Sequence, residues 1–167
     1  HHFTILPGII LFICWGRCSW RSVVTDPSLR IFCVQGINKI MSRKKSIEIV
    51  LDTETTGLDY TRERIIEFAA VRLENGKIKD EFQTLINPHQ HIRKSSMAIH
   101  GISEDMVKDA PPESEVLPQI LDFIGDYPIV AHNAIFDYSF LNEACLRNYD
   151  KQLKNPRIDT QQMFKEV

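Results

Sequence analysis

The sequence predicts an α/β fold in which a mixed β-sheet is flanked by helices. Three apolar runs in the first half of the motif-bearing region have the length and β-branched content of strands, and two of them are joined by a tight-turn sequence. Further along, helical apolar spacing alternates with short strand patterns. A hairpin followed by alternating helices and strands is typical of a mixed sheet. With 43% of 167 residues apolar, the chain can bury one core.

The first three predicted strands lie close together in the sequence. Residues 47–51 form a β-branched apolar run, and residues 65–73 have the pattern of a largely buried strand. Glu74-Asn75-Gly76 then predicts a tight hairpin turn. Apolar residues alternate with polar ones between 78 and 86, which predicts a half-exposed strand at the edge of the sheet.

Two helices and a short strand are predicted next. Apolar residues between 116 and 124 line one helix face, and we expect Pro118 in the opening turn, where a missing N–H is tolerated. Residues 128–131 have the pattern of a short buried strand. The apolar spacing from Phe136 to Tyr149 predicts a helix, so Asp137 falls in its first turn.

The first 40 residues differ from the rest of the chain. They contain both tryptophans, three of the four cysteines and a single acid, and the first methionine is Met41. We interpret residues 1–40 as non-native upstream sequence or a leader, with a structural role as the alternative, and residues 41–167 as the domain. The apolar run at 5–15 is too short to span a bilayer. The remaining Cys145 is expected in the core, which favours a reducing, cytoplasmic location.

The charge balance narrows the classes of function. Residues 41–167 carry 16 basic and 21 acidic side chains, whereas proteins that coat duplex nucleic acid are usually basic. The balance favours an enzyme that grips a few terminal nucleotides. Arg93 and Lys94 either touch phosphates or form a solvated basic pair.

The hexapeptide DTETTG at residues 52–57 follows the first predicted strand. Side chains two apart on a strand point the same way, so Asp52 and Glu54 share one face and Thr53 takes the other. Crowded carboxylates repel one another unless a cation lies between them, and hard oxygen ligands suit Mg²⁺ or Mn²⁺. Gly57 allows backbone to approach a ligand closely. An ordinary strand end followed by a turn is the alternative.

A second motif, HNAIFD at residues 132–137, follows the short strand about 80 residues later. The helix dipole favours the ionised form of Asp137, as a metal ligand requires. If the second motif stood alone, an ordinary interpretation would be favoured: Asp137 would be a charge in the first turn of a helix and His132 a polar residue at a strand end. Taken together, the two motifs supply three of the four carboxylates of a two-metal site that cleaves phosphodiesters.

The two motifs resemble the first and second exonuclease motifs of the DEDDh, or DnaQ-like, 3′–5′ exonucleases, closest to the epsilon proofreading subunit of bacterial DNA polymerase III. The segment AIHGIS at 98–103 resembles the connection between the motifs, and RIDT at 157–160 resembles the junction that follows the second. The likeness runs from about Ile47 to Val167.

This resemblance implies a ribonuclease H-like fold and two Mg²⁺ (or Mn²⁺) ions. It implies that Asp52, Glu54 and Asp137 are the catalytic metal ligands. The residues that it implies for substrate binding are Thr55, Thr56, Gly57, His100, His132, Asn133 and Phe136; for His100, packing within a loop is the alternative. In the family a third motif with a general-base His and a final Asp follows. The chain ends at Val167 before such a motif, so we expect a fold incomplete at its C-terminus and little activity.

Three functions remain open at this point. The first is a DNA 3′–5′ exonuclease for proofreading or repair, which acts on single-stranded 3′ ends and has the DNA polymerase III alpha subunit as a partner. The second is an RNA-trimming exonuclease of the same superfamily. The third is a non-catalytic domain that binds nucleic acid or a polymerase. No membrane partner is expected.

Overall fold

The computed structural model of the protein describes residues 46–163, apart from the side chain of Met163. The proposed division between residues 1–40 and the domain, with a start at Met41, lies outside the described residues. Within residues 46–163, no helix is both long and apolar enough to cross a membrane.

Five strands form one sheet in the order β3-β2-β1-β4-β5. They are β1 Ile47–Thr55, β2 Ile65–Glu74, β3 Lys77–Leu85, β4 Ile129–Ala131 and β5 Arg157–Asp159. The pairs β1–β2 and β2–β3 are antiparallel, whereas β1–β4 and β4–β5 are parallel. The prediction of a mixed sheet with a hairpin on one side is confirmed, and β1 lies at its centre.

The hairpin between β2 and β3 follows from its two turn residues. Asn75 and Gly76 have φ angles of 53° and 73°, the left-handed values that a tight two-residue hairpin turn requires. Asparagine tolerates this conformation and glycine adopts it without steric cost. The predicted turn and the predicted edge position of β3 are both confirmed.

The described residues form five helices. They are α1 Lys94–His100, α2 Glu104–Val107, α3 Glu113–Ile124, α4 Ala134–Tyr149 and α5 Thr160–Met163. Asp137 lies in the first turn of α4, as predicted. The expectation for Pro118 was wrong, because α3 begins directly after Pro112 and Pro118 lies inside it. The carbonyl left without an N–H donor is that of Ser114, which is exposed and open to water.

Helices α3 and α4 cover one face of the sheet. The core there combines sheet residues Ile49, Leu51 and Ile129 with helix residues Val116, Ile120, Phe140 and Leu141, all fully or almost fully buried. Each such side chain stabilises the fold by about 1.5–3 kcal/mol. Cys145 is buried beside Leu117, which confirms it as a core residue. Val50 belongs to a separate cluster on the other face, so alternation places Asp52 and Glu54 on that face and Thr53 towards α4.

Candidate active site

The central feature of the site is a bond between α4 and the open edge of β1. Strand β4 is only three residues long and pairs with β1 at Ile49 and Val50 alone, so β1 extends beyond it. The backbone N–H of Thr53 instead donates to Asp137 Oδ1 at 2.9 Å, and the Thr53 hydroxyl donates to the same oxygen at 2.7 Å. This pair of bonds fixes Asp137 at the point of β1 between Asp52 and Glu54.

The electrostatics of these acids indicate crowded negative charge. Burial, followed by repulsion from Asp52, Glu67 and Asp137, raises the pKa of Glu54 to about 8. Glu67 lies directly opposite Glu54 in the antiparallel ladder, where like charges are unfavourable. Burial and the charge of Asp52 also raise the pKa of Asp137 well above its usual value, although the Thr53 hydrogen bonds oppose the shift. A cation among these carboxylates would relieve the repulsion.

The donor chemistry of these acids fits a hard divalent cation, since all the candidate ligands are carboxylate oxygens. Asp137 Oδ1 accepts both hydrogen bonds from Thr53, so Oδ2 is the oxygen that Thr53 leaves for a metal ion. In the part of the chain that the structure describes, no group of three or more His, Cys, Asp or Glu side chains converges closely enough to hold a metal ion. Asp52, Glu54 and Asp137 are therefore suitable in kind but do not form a closed ligand set by themselves.

The loop that follows β1 is held by its own threonines. The Thr55 hydroxyl donates to the carbonyl of Gly57 at 2.6 Å. Thr56 is completely buried, and its hydroxyl donates to Glu63 Oε2 at 2.6 Å and accepts from Gln90 Nε2 at 2.7 Å. The hydroxyls of both threonines, which are residues expected to hold a nucleotide, thus bind protein groups. They shape the loop, and the loop backbone is what remains to meet a ligand.

Gly57 is required by an ion pair within the protein. A Cβ atom at this position would lie 2.7 Å from Cδ and Oε1 of Glu63 and 2.8 Å from Nε of Arg93. These distances are too short for real contacts, so the Glu63–Arg93 pair by itself requires glycine at this position. Glu63 was not predicted from the sequence. Its only signal is an acid two residues before β2, which resembles an ordinary solvated loop charge.

The carboxylate of Glu63 is charged despite its burial. Burial alone would raise its pKa, but hydrogen bonds from Thr56 and Arg93, together with the Arg93 charge, outweigh this effect and hold the pKa below its usual value. The side chain of Glu63 is 7% exposed and that of Arg93 is 61% exposed. One buried carboxylate therefore ties together Thr56, Gln90 and Arg93.

His100 lies against the end of β1. Its Nδ1 accepts a hydrogen bond from the Ile102 N–H at 3.0 Å, so the proton of the neutral ring is on Nε2. That Nε2 is buried and makes no hydrogen bond of standard geometry. Burial lowers the pKa of His100, and a weaker hydrogen-bonding interaction with the Thr55 backbone offsets part of this effect. The structure therefore brings His100 to the first motif.

His132 and Asn133 are turned towards β5 and α5. His132 Nδ1 lies 3.3 Å from the Thr160 hydroxyl oxygen. Asn133 has left-handed backbone angles and its N–H donates to Asp159 Oδ1 at 3.1 Å. These contacts with Thr160 and Asp159 hold the junction before α4 and are not contacts with the acids of β1.

Phe136 links the second motif to the loop of the first. It is half-buried, and its ring centroid lies 4.9 Å from that of Phe140. The Phe140 ring in turn meets Tyr60 edge-on at 6.5 Å. Tyr60, which the sequence analysis did not single out, is 43% exposed in the loop after Gly57. These aromatic contacts place that loop beside the start of α4.

Comparison with known proteins agrees with this architecture. The family model described as Exonuclease (RNase T type) matches residues 49–167. DNA polymerase III PolC-type of Bacillus subtilis is 42% identical over 113 residues, which cover 67% of this chain and 8% of that protein. The PolC-type protein of Thermotoga maritima is 43% identical over 119 residues, 71% of this chain and 9% of that protein. The chain thus spans less than a tenth of the length of these relatives.

Two solved structures add to the comparison. Exonuclease X in complex with 5′ overhanging duplex DNA is 32% identical, with a TM-score of 0.57, and the match covers 71% of this chain and 63% of that one. The zinc-bound E. coli exonuclease I complex with single-stranded DNA has a TM-score of 0.66 at 19% identity, with 74% and 30% covered, and shows the fold alone. The ribonuclease H-like fold is confirmed. The chain belongs to the exonuclease family, as a domain of the DEDD-type 3′–5′ exonucleases.

Proposed function

We propose that this domain removes nucleotides from the 3′ end of DNA, in proofreading or repair, with two Mg²⁺ or Mn²⁺ ions. One observation carries the proposal: Asp137 is bonded to β1 between Asp52 and Glu54, where burial, followed by repulsion from Asp52, Glu67 and Asp137, raises the pKa of Glu54 to about 8. Such crowding favours a cation, and it occurs at the carboxyl end of a central strand.

The individual side chains have distinct tasks in this proposal. Asp52, Glu54 and the Oδ2 atom of Asp137 would hold the ions, which, when bound, polarise the phosphate and lower the pKa of water. Thr53 keeps Asp137 in place through two hydrogen bonds to its other oxygen. His100 lies against Thr55 at the end of β1, which supports a contact with the terminal nucleotide.

A general base is still needed to take the proton from the attacking water. Neither candidate histidine among residues 46–163 suits this role. His100 has its acceptor nitrogen bonded to Ile102, and His132 contacts Thr160, on the side of β5 and α5 and away from the acids of β1. The proposal therefore requires a general base and a fourth carboxylate from outside the described residues, as the family resemblance implies. A positioned base is worth about 10²–10⁴-fold in rate.

DNA is favoured over RNA because the PolC-type relatives are DNA polymerases. In those relatives the matched segment is a small part of a polymerase chain, which supports work beside a polymerase, either within one chain or as an epsilon-like subunit bound to an alpha subunit. A cytoplasmic location follows from that partnership. An RNA-trimming enzyme and a non-catalytic binding domain remain the alternatives that the assay must separate.

The test follows a single-stranded oligonucleotide labelled at its 5′ end, as DNA and as RNA of the same sequence, with Mg²⁺ or with a chelator. For DNA we expect a ladder of products shortened from the 3′ end. This ladder should be absent with chelator and in Asp52→Ala. Faster loss of RNA would favour the trimming enzyme. Binding of either strand without cleavage, in a chain extended through a third motif, would favour the non-catalytic domain.

A further inference from the structure

Arg93 is attached to the first motif through both its backbone and its side chain. Its N–H donates to the carbonyl of Thr56 at 3.0 Å, and its Nε bonds Oε1 of the buried Glu63. The guanidinium lies so close to the α-carbon of Gly57 that a Cβ there would come within 2.8 Å of Nε. The position of the guanidinium is therefore set by the same network that shapes the loop after β1.

Most of the hydrogen-bonding capacity of this guanidinium is unused. An arginine side chain has five N–H donors, and Glu63 takes the one on Nε. The two η nitrogens make no hydrogen bond to any described residue, and the side chain is 61% exposed. A planar fork of donors held at a fixed place matches the oxygens of a phosphate. Because Glu63 already holds the guanidinium, binding would cost little of the arginine's conformational freedom.

The distance to the candidate catalytic acids suits a substrate contact. Gly57 lies three residues after Glu54, so their α-carbons are at most about 11 Å apart even in a fully extended chain. We propose that Arg93 binds a backbone phosphate within the last few nucleotides of the strand, and that Glu63 is the positioning residue that holds it there. This inference rests on the proposed function. The competing explanation is that Arg93 only neutralises buried Glu63.

The test compares three variants of the full chain: Arg93→Gln, Arg93→Lys and, as a control, Lys77→Gln. Lys77 is an exposed residue at the start of β3, at the opposite end of the sheet from the candidate acids, and its loss changes the net charge as Arg93→Gln does. Binding of a fluorescent single-stranded oligonucleotide is measured in chelator, so that no hydrolysis occurs, at several salt concentrations. We expect Arg93→Gln to weaken binding about five- to tenfold and to reduce the slope of log K against log salt by about 0.7, the value for one phosphate contact. Lys77→Gln should stay within about twofold of wild type.

The phosphate itself is located by replacing one linkage at a time with an uncharged methylphosphonate. Wild type should lose affinity most at one linkage near the 3′ end, and Arg93→Gln should lose nothing further there. Arg93→Lys should behave in the same way, because its single ammonium group stays with Glu63. This variant keeps the ion pair and decides the question if Arg93→Gln does not fold by circular dichroism.

The outcomes separate this inference from the proposed function. If Arg93→Gln and Arg93→Lys keep the wild-type linkage profile and salt slope, Arg93 only neutralises Glu63 and the inference is wrong, whereas the proposed function stands. If wild type binds no oligonucleotide in chelator, the inference is wrong, and the nuclease assay with Mg²⁺ decides the proposed function separately.

Discussion

The loops that follow β1 and β4 carry similar acidic motifs but are held in different ways. The loop after β1 is tied by a buried charged group, Glu63, which bonds Thr56, Gln90 and Arg93. The loop after β4 is held at fewer points: Asn133 adopts left-handed angles, and its N–H donates to the side chain of Asp159. The first loop is therefore fixed by several side chains that no local pattern reveals, and the second by a backbone conformation together with one side-chain acceptor.

This difference shows that neighbouring residues within one motif have separate tasks. Asp52 and Glu54 present carboxylates at the candidate site. The next two residues, Thr55 and Thr56, instead form hydrogen bonds within the protein through their hydroxyls. A motif that looks like a set of ligands is in part the scaffold for those ligands. Substitutions should separate the two groups, because removing a ligand spares the fold and disturbing the scaffold does not.

The largest effect is expected from the ligands of the first motif. In a protein that carries the third motif, Asp52→Ala or Glu54→Ala should reduce hydrolysis more than about a hundredfold, since even the loss of a group that supports a metal ligand costs 10–100-fold. The melting temperature without metal should stay the same or rise, because repulsion is relieved. Release of labelled nucleotide with Mg²⁺ is the measurement, and turnover near wild type would show that the metal assignment is wrong.

A smaller effect is expected from the scaffold of the same motif. Gly57→Ala should destabilise the protein by about 1–3 kcal/mol, since the new methyl group overlaps the Glu63–Arg93 pair. Activity should also fall, because the loop must shift. Gly125→Ala is the control: its φ of 53° makes alanine similarly costly, but it lies at the end of α3. Chemical unfolding measures stability, and the nuclease assay measures activity. Full activity in both variants would contradict the expected difference between Gly57→Ala and Gly125→Ala.

The crowded acids also predict a pH dependence of stability in chelator. Because the folded-state pKa of Glu54 is raised from 4.5 to about 8, its contribution is present at low pH and is lost as the pH rises through about 8. The melting temperature should therefore fall between about pH 4.5 and pH 8 and level off above that range. Glu54→Gln should flatten this fall and added Mg²⁺ should reduce it. Parallel profiles for wild type and Glu54→Gln would exclude Glu54 as the cause.

The smallest effect is expected at the second loop. Asp159→Ala removes the acceptor for the N–H groups of Asn133 and Gln161, at a cost of about 1 kcal/mol for a half-exposed group. Activity should fall less than about tenfold, because Asp137 stays bonded to Thr53. A loss as large as that of Glu54→Ala, measured in the same nuclease assay, would mean that the two loops depend equally on side chains.

Features with a local cause could be predicted from the sequence. Asn75-Gly76 specifies its turn because both residues accept left-handed angles, and the alternation of β1 places Asp52 and Glu54 on one face. The place of Asp137 in the first turn of a helix followed from apolar spacing. In each case the deciding interactions lie within a few residues of one another.

Contacts between distant segments could not be predicted in this way. The bond from Thr53 to Asp137 joins residues 84 apart and depends on β4 ending after three residues. Glu63 reaches Arg93 across 30 residues, and nothing near either one in the sequence indicates the partner. The packing requirement at Gly57 could not be predicted for the same reason, since the group beside it comes from elsewhere in the chain.

The bond between the Thr53 amide and Asp137 gives the candidate site a built-in spectroscopic reporter. A backbone N–H that donates to a carboxylate resonates downfield in proton NMR and moves when that carboxylate gains a proton or a ligand. In ¹⁵N-labelled protein the single Thr53 cross-peak should therefore follow the state of Asp137 without any change to the acids themselves. Deuterium exchange at the same amide would show how often α4 separates from β1.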